Sequence, residues 1–113
     1  MEDVKLKKFD VADSPLKRTL GIMFRRTLAR PLLFIFPRES VTGAAIHSFF
    51  CFVKFDAVYL DSQKRVVDVI PRVRPFVAYL APKKAAKYLI EAPAGWAAEN
   101  GVMADEIIEF PSR

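Results

Sequence analysis

Prolines divide this sequence into short apolar runs, and that spacing limits the fold more than any other feature. Eight prolines stand among 113 residues, against only four glycines. The run Leu32-Leu33-Phe34-Ile35-Phe36 lies between Pro31 and Pro37. A five-residue helix between prolines is not stable, because proline removes a backbone donor and clashes with the preceding turn. Such runs are typical of strands buried on both faces, so the sequence predicts a chain built mainly of strands.

A hairpin is predicted over residues 57–70. Residues 57–60 and 65–70 are rich in β-forming side chains, and the polar residues Asp61-Ser62-Gln63-Lys64 connect them. A short polar connection between two such runs is typical of antiparallel neighbours. Residues 71–75 are expected to be extended or edge-like, because prolines cannot donate to a ladder. Further strands are predicted at residues 4–9, 32–36, 45–52, 88–91 and 106–110.

Two short helices complete the predicted fold. Ser14 can cap a helix over residues 15–22 that begins with Pro15, where a missing donor costs nothing. A second helix is predicted over residues 96–100 and ends at Gly101. About seven strands with two short helices predict a mainly β fold, α+β at the margin, arranged as a β-sandwich or a partly closed barrel. The length and the 52% hydrophobic content predict one domain over residues 1–113.

Cysteine content and hydropathy indicate a soluble, cytoplasmic domain. Cys51 is the one cysteine, so no disulfide forms within the chain, as expected in a reducing compartment. Its apolar neighbours favour a small buried hydrophobe over a reactive thiol. The first residues contain acids and no apolar core, which argues against an export signal. Residues 41–53 form the longest uncharged stretch, and they are too short to span a bilayer.

Charge is distributed unevenly along the chain. Residues 1–87 hold 17 Lys and Arg against 8 Asp and Glu, a balance of +9, whereas residues 88–113 have a balance of −4. This asymmetry predicts either a basic face for an anionic partner or two complementary faces that meet within the fold. One predicted basic patch comprises Lys17, Arg18, Arg25, Arg26 and Arg30, and a second comprises Arg72, Arg74, Lys83, Lys84 and Lys87.

The residue types needed for several kinds of site are missing. One histidine and one cysteine cannot supply a zinc site, and the four glycines are too far apart to form a phosphate-binding loop. The sequence therefore predicts no metal and no cofactor. His47 is either a general base or anion ligand or a packed histidine, while Asp56 and Glu91 are acids among apolar residues that need fixed partners if they are buried.

Four ordered segments resemble a known family. They are Gly21-Ile22-Met23-Phe24-Arg25, the run at 32–36, residues 46–50 with 56–61, and Tyr88-Leu89-Ile90-Glu91-Ala92-Pro93-Ala94-Gly95. Together they resemble the family called domain of unknown function 192, or uncharacterised protein family 0127. The resemblance implies a β-sandwich of jelly-roll type and no established activity. It also implies that Arg25, His47, Asp56 and Glu91 converge.

The sequence departs from that family at two places. Cys51-Phe52-Val53-Lys54 stand where many members have a methionine, a basic residue and Asn-Thr. Ala104-Asp105 stand where many members close with Gly-Asp. Both departures weaken the expectation of a polar site built from these positions.

The leading hypothesis is a binding module whose basic cleft or face, with Arg25, His47 and Asp56, takes a small anionic ligand or a protein segment. One alternative is a basic domain that binds nucleic acid, although the aromatic-and-basic pattern of an RNA-recognition sheet is missing. A second alternative is an enzyme in which His47 works with Asp56 or Glu91 as an acid–base pair. We also predict that Arg25 or another early arginine contacts Asp56 or Glu91 and ties the first helix to the sheet.

Overall fold

The computed structural model describes residues 4–5, 9–12, 28, 30–48 and 51–110, with the backbone alone at 4–5. Nine elements follow one another in the described part of the chain. They are β1 Val4–Lys5, β2 Asp10–Ala12, β3 Leu32–Ser40, a 3₁₀ turn at Thr42–Ala44, β4 Phe55–Leu60, β5 Val66–Val73, β6 Ala86–Pro93, α1 Trp96–Glu99 and β7 Ile108–Glu109. The predicted mainly β class is confirmed.

The main sheet has five strands in the order β2-β3-β6-β4-β5. Strands β2 and β3 run parallel, and the other neighbours are antiparallel. The sheet is open, with β2 and β5 at its edges, so the described residues do not form a closed barrel. A separate parallel pair joins β1 to β7 over two residues each. The jelly-roll sandwich stays a prediction.

The predicted hairpin is confirmed as β4 and β5. The Asp61 carboxylate stabilises the turn that connects the two strands, because its Oδ1 accepts the amides of Gln63 at 2.9 Å and Arg65 at 3.0 Å. Lys64 adopts a left-handed conformation with φ 66°. Its ammonium lies 4.2 Å from the centre of the Phe110 ring and donates to the Phe110 carbonyl at 2.7 Å. The turn thereby holds the end of the described chain against the sheet.

Strand β4 lies between β5 and β6, and all six of its residues are buried. Its side chains alternate between the two faces of the sheet, as in any strand. On the first face Phe55, Ala57 and Tyr59 belong to one apolar cluster, which Ile46, Val53, Val77 and Leu80 cover. On the second face Val58 and Leu60 belong to another cluster, which Ala97, Val102, Ile108 and Phe110 cover.

Two predicted elements differ from the structure. Residues 45–52 were expected to form a strand, but the described residues there contribute only an isolated bridge between Ile46 and Leu80. The β propensity of this aromatic segment is overridden, because it lies across the first face and its polar groups bond to a loop. Strand β3 is longer than expected and continues through Pro37 to Ser40, with an irregular register after Ile35. The predicted helix over residues 15–22 lies outside the described residues.

Asp56 is the one acidic residue of β4, and its carboxylate connects β4 to β5 and to α1. It is 1% exposed. Its Oδ1 accepts the Arg72 amide at 2.9 Å and its Oδ2 accepts the Ala97 amide at 2.9 Å. The N-cap of α1 is Gly95, which has no side chain, so Asp56 supplies the acceptor for the first turn. Two backbone donors are thus the fixed partners that this buried acid needs.

We expect Asp56→Ala to lower the free energy of unfolding by about 2–4 kcal/mol, because it leaves two buried amides without an acceptor. The matched control is Asp61→Ala, which also removes a carboxylate that accepts two amides, but at an exposed turn. Its cost should be about 1 kcal/mol. Urea melts followed by circular dichroism measure both. Equal losses for the two variants would contradict a role for burial.

Candidate functional site

The register of the sheet separates the two acids that were expected to converge. Asp56 pairs with Ala92, and Ala57 pairs with Glu91. Neighbouring residues of a strand point to opposite faces, so Asp56 lies on the second face and Glu91 on the first. Both oxygens of Asp56 already accept backbone amides. The structure therefore gives Asp56 a structural role and does not bring it together with Glu91.

Glu91 is buried in the first-face core, where Leu32 and Ala57 are its register partners on the two neighbouring strands. Its charge acts on two nearby groups. Burial, with the negative charge of Glu91 second, raises the pKa of the Cys51 thiol to about 11. Burial and then the charge of Glu91 also raise the pKa of the Tyr59 hydroxyl. Cys51 is buried, so the interpretation as a small buried hydrophobe fits better than that of a reactive thiol.

The other predicted site residues are exposed or lie outside the described residues. His47 is exposed on the segment between the 3₁₀ turn and β4. Arg30 forms an exposed ion pair with Asp10 at 2.7 Å, a contact of small energetic weight. Arg25 and the basic residues Lys17, Arg18 and Arg26 lie outside the described residues, and the predicted contact from Arg25 to Asp56 or Glu91 lies there with them.

Two loops pair with each other across the first face, and we call them the paired loops: residues 46–54 and 72–80. Ile46 and Leu80 exchange two backbone hydrogen bonds of 2.8 Å. The Ser48 amide donates to the Val77 carbonyl at 2.9 Å, and the Ser48 carbonyl accepts the Phe76 amide at 3.0 Å. The Tyr59 hydroxyl on β4 donates to the Leu80 carbonyl at 3.3 Å and ties the loops to the sheet.

Aromatic side chains point outward from the paired loops. Phe52, Phe76 and Tyr79 are 52%, 63% and 64% exposed. Such large apolar side chains are unusual at this exposure, and a group of them on one pair of loops indicates an interaction site. Sequence reasoning missed Phe76 and Tyr79, because it did not predict that residues 74–80 turn back to pair with residues 46–48.

All charged side chains of the paired loops are cationic. Residues 41–55 and 69–90 contain no Asp or Glu. Lys54, Arg72 and Arg74 are exposed. Phe55 pairs with Val73 in the antiparallel ladder, so Lys54 and Arg74 flank the same residue pair. The Arg72 guanidinium lies instead beside the start of α1, where a β-carbon on Gly95 would be 3.7 Å from Arg72 Nη2 and 3.8 Å from Glu99 Oε1. We call Phe52, Phe76 and Tyr79 together with Lys54 and Arg74 the aromatic–cationic surface, and it is the candidate functional site.

Three more cations of the predicted second basic patch follow these loops. Lys83 lies 3.9 Å from the buried Asp68, and the Lys87 ammonium donates to the Pro37 carbonyl at 3.1 Å. Lys84 is exposed. Within the residues that the structure describes, no group of three or more potential metal ligands occurs. Across the same residues, no helix has the length and apolar character needed to cross a membrane.

We expect the folded protein to lose stability as the pH rises from about 9 to 11. Cys51 and Tyr59 have usual pKa values of 9.0 and 10.0, and both pKa values are raised in the folded state. The unfolded chain therefore loses these protons first, so their contribution is complete below pH 9 and declines above it. Urea midpoints between pH 8 and 10.5 measure the slope. The double variant Cys51→Ala, Tyr59→Phe lacks both groups, so its pH profile gives the contribution of the lysines that also titrate in this range. Parallel pH profiles for the two proteins would contradict the prediction.

Comparison with known proteins identifies the family. The model of the DUF192 family, described as "Uncharacterized ACR", matches residues 2–110. A UPF0127 protein of Pyrococcus abyssi is 47% identical over 88 residues, which cover 78% of this chain and 73% of the relative. A UPF0127 protein of Pyrococcus horikoshii is 45% identical over 85 residues, which cover 75% and 71%.

Two crystal structures share the fold. A protein of unknown function from Novosphingobium aromaticivorans matches with a TM-score of 0.82 and 18% identity, over 90% of this chain and 74% of that one. A protein from Sinorhizobium meliloti matches with a TM-score of 0.80 and 20% identity, over 88% and 78%. The family description carries no activity, so the likeness extends to ancestry and fold. With a family match over nearly the whole length, this chain belongs to the DUF192 (UPF0127) family, as its four sequence segments indicated.

Proposed function

We propose that this protein is a binding module that recognises an acidic segment of another protein through the aromatic–cationic surface. The observation that carries the proposal is the coincidence, on one pair of loops, of three exposed aromatic side chains with cations and no acids. This deepens the hypothesis of a basic face for an anionic partner. It moves that face from Arg25 and Asp56 to the paired loops, on which His47 also lies.

Charge supports an acidic partner. Lys54 and Arg74 are exposed, and residues 41–55 and 69–90, which contain them, have no Asp or Glu. Such a field draws a negatively charged partner toward the surface and repels a basic one. Arginine also binds carboxylates through two parallel hydrogen bonds, which fixes the orientation of a bound segment.

The exposed rings favour a protein segment over a small ligand. Sites for small ligands enclose most of the molecule within concave walls. Phe52, Phe76 and Tyr79 are instead more than half exposed, as on a surface that a partner covers. Aromatic residues and arginine are the types most enriched among residues that dominate protein–protein affinity. We therefore expect the bound segment to carry apolar side chains between its carboxylates.

Nucleic acid is the second candidate, because bases stack on exposed aromatic side chains beside cations. Such sites also need a basic groove that follows several phosphates. Here Lys83 lies near Asp68, and Lys87 donates to a carbonyl oxygen. Two cations and three rings fit a short acidic segment better than a phosphate backbone.

The experiment measures fluorescence anisotropy with a labelled peptide of alternating glutamate and leucine. We expect binding at low salt, weakening as salt rises because exposed charges are screened. A peptide with glutamine in place of glutamate should bind at least tenfold more weakly. Arg74→Glu should lower the affinity for the glutamate peptide by about tenfold, which corresponds to about 1.4 kcal/mol.

The matched control is Arg65→Glu, the same charge reversal at the other end of β5, about 25–30 Å away at the rise of a strand. It should leave the affinity close to that of the wild type. Equal losses for the two reversals would show that net charge alone drives binding and would overturn the proposal. Binding of a labelled uridine-rich RNA without binding of the glutamate peptide would transfer the assignment to nucleic acid.

A further inference from the structure

Two residues of the segment 72–77 adopt a backbone conformation that side chains disfavour. Arg72 has φ 50° and Phe76 has φ 67°. In this left-handed region the β-carbon crowds the backbone, and bulky residues are rare there. Residues of this kind persist only where their surroundings hold them, and they concentrate at functional sites.

Ser48 holds the Phe76 end of the segment. It is 1% exposed. Its hydroxyl donates to the Arg74 carbonyl at 2.6 Å and accepts the Val77 amide at 2.7 Å. Its carbonyl accepts the amide of Phe76 itself at 3.0 Å. The Ser48 amide also donates to the Val77 carbonyl at 2.9 Å. Four hydrogen bonds from one buried residue therefore span the strained position and fix the direction in which Phe76 points.

Asp56 holds the other end. Its buried carboxylate accepts the amide of Arg72 at 2.9 Å. Pro71 and Pro75 further restrict the chain, since proline fixes its own φ and limits the residue before it. The segment is thus constrained at both ends and within, which lowers the entropy that a partner would have to remove on binding.

Folding alone gives no reason for a phenylalanine at position 76. The side chain is 63% exposed, so its burial contributes little to stability, and its φ is unfavourable for any residue with a β-carbon. Glycine would satisfy the backbone at lower cost. The neighbouring loop polar groups are already satisfied through backbone atoms of residues 74, 76 and 77, which any side chain at position 76 would preserve.

We infer that residues 72–77 form a preorganised recognition loop and that Phe76 is its anchor, the ring that inserts between apolar side chains of the bound acidic segment. The inference rests on the proposed function. It adds which residue supplies most of the affinity and why the backbone there is strained. Arg74, an exposed cation two residues before that anchor, would contact a carboxylate of the bound segment.

The experiment compares Phe76→Ala with Phe76→Gly. Both variants remove the ring, so both should weaken binding of the glutamate–leucine peptide by about 10–100-fold. Only glycine relieves the left-handed conformation, so Phe76→Gly should melt about 3–6 °C above Phe76→Ala. Met103→Ala is the matched control, because Met103 is 58% exposed outside the paired loops. It should leave the affinity unchanged.

The outcomes separate this inference from the proposed function. Failure of the wild-type protein to bind the peptide overturns the proposed function. Binding by the wild type that Phe76→Ala leaves unchanged overturns the anchor and retains the binding surface. A melting temperature for Phe76→Gly at or below that of Phe76→Ala overturns the strain. Weakened binding by both Phe76 variants, together with the higher melting temperature of Phe76→Gly, supports the inference.

Discussion

The full burial of β4 at the centre of the sheet is the constraint on which the rest of the structure depends. Its six residues are buried between β5 and β6, so a polar side chain on this strand must find its partners within the protein. Asp56 meets that condition by accepting one amide from the end of β5 and one from α1. One carboxylate therefore fixes how a neighbouring strand ends and where the short helix begins. The two backbone hydrogen bonds offset the cost of burying the acid.

On the other face of the sheet, Ser48 is also a buried polar residue whose hydrogen-bond partners lie within the protein. The segment that carries it was free, by its composition, to form a strand, yet a ladder would have left the first face of β4 uncovered. The buried hydroxyl instead bonds to Arg74 and Val77 and makes two irregular loops into one cover. A regular strand alternates its side chains between two faces. An irregular segment held by a few hydrogen bonds can expose side chains at other spacings. This is how Phe76 and Tyr79 come to face outward while Val77 and Leu80 pack inward.

Sequence patterns predicted the elements whose formation depends on residues that are close together in sequence. Pro31 marked the start of β3, and the polar residues 61–64 marked the hairpin, since turn chemistry depends only on neighbours in sequence. Pro37 did not mark the end of β3, which continues to Ser40. The candidate functional site was harder to predict from the sequence. The pairing of Ser48 with residues 74–77 joins positions 26–29 residues apart, and no periodicity reports such a contact. The absence of acids from residues 69–90 was visible in the sequence, but which of its cations stand beside exposed rings follows only from the fold.

The combination of rings and cations also determines which partner the surface rejects. Exposed aromatic side chains promote self-association, because two copies can bury them against each other. On this protein such a contact would bring Lys54 and Arg74 of one copy toward the same cations of another, with no acid in either paired loop to separate them. Like charges placed together cost several kcal/mol at an interface. A segment with carboxylates between its apolar side chains would remove that repulsion and still cover the rings. On the proposed function, the cations that attract an acidic partner therefore also oppose association of the protein with itself.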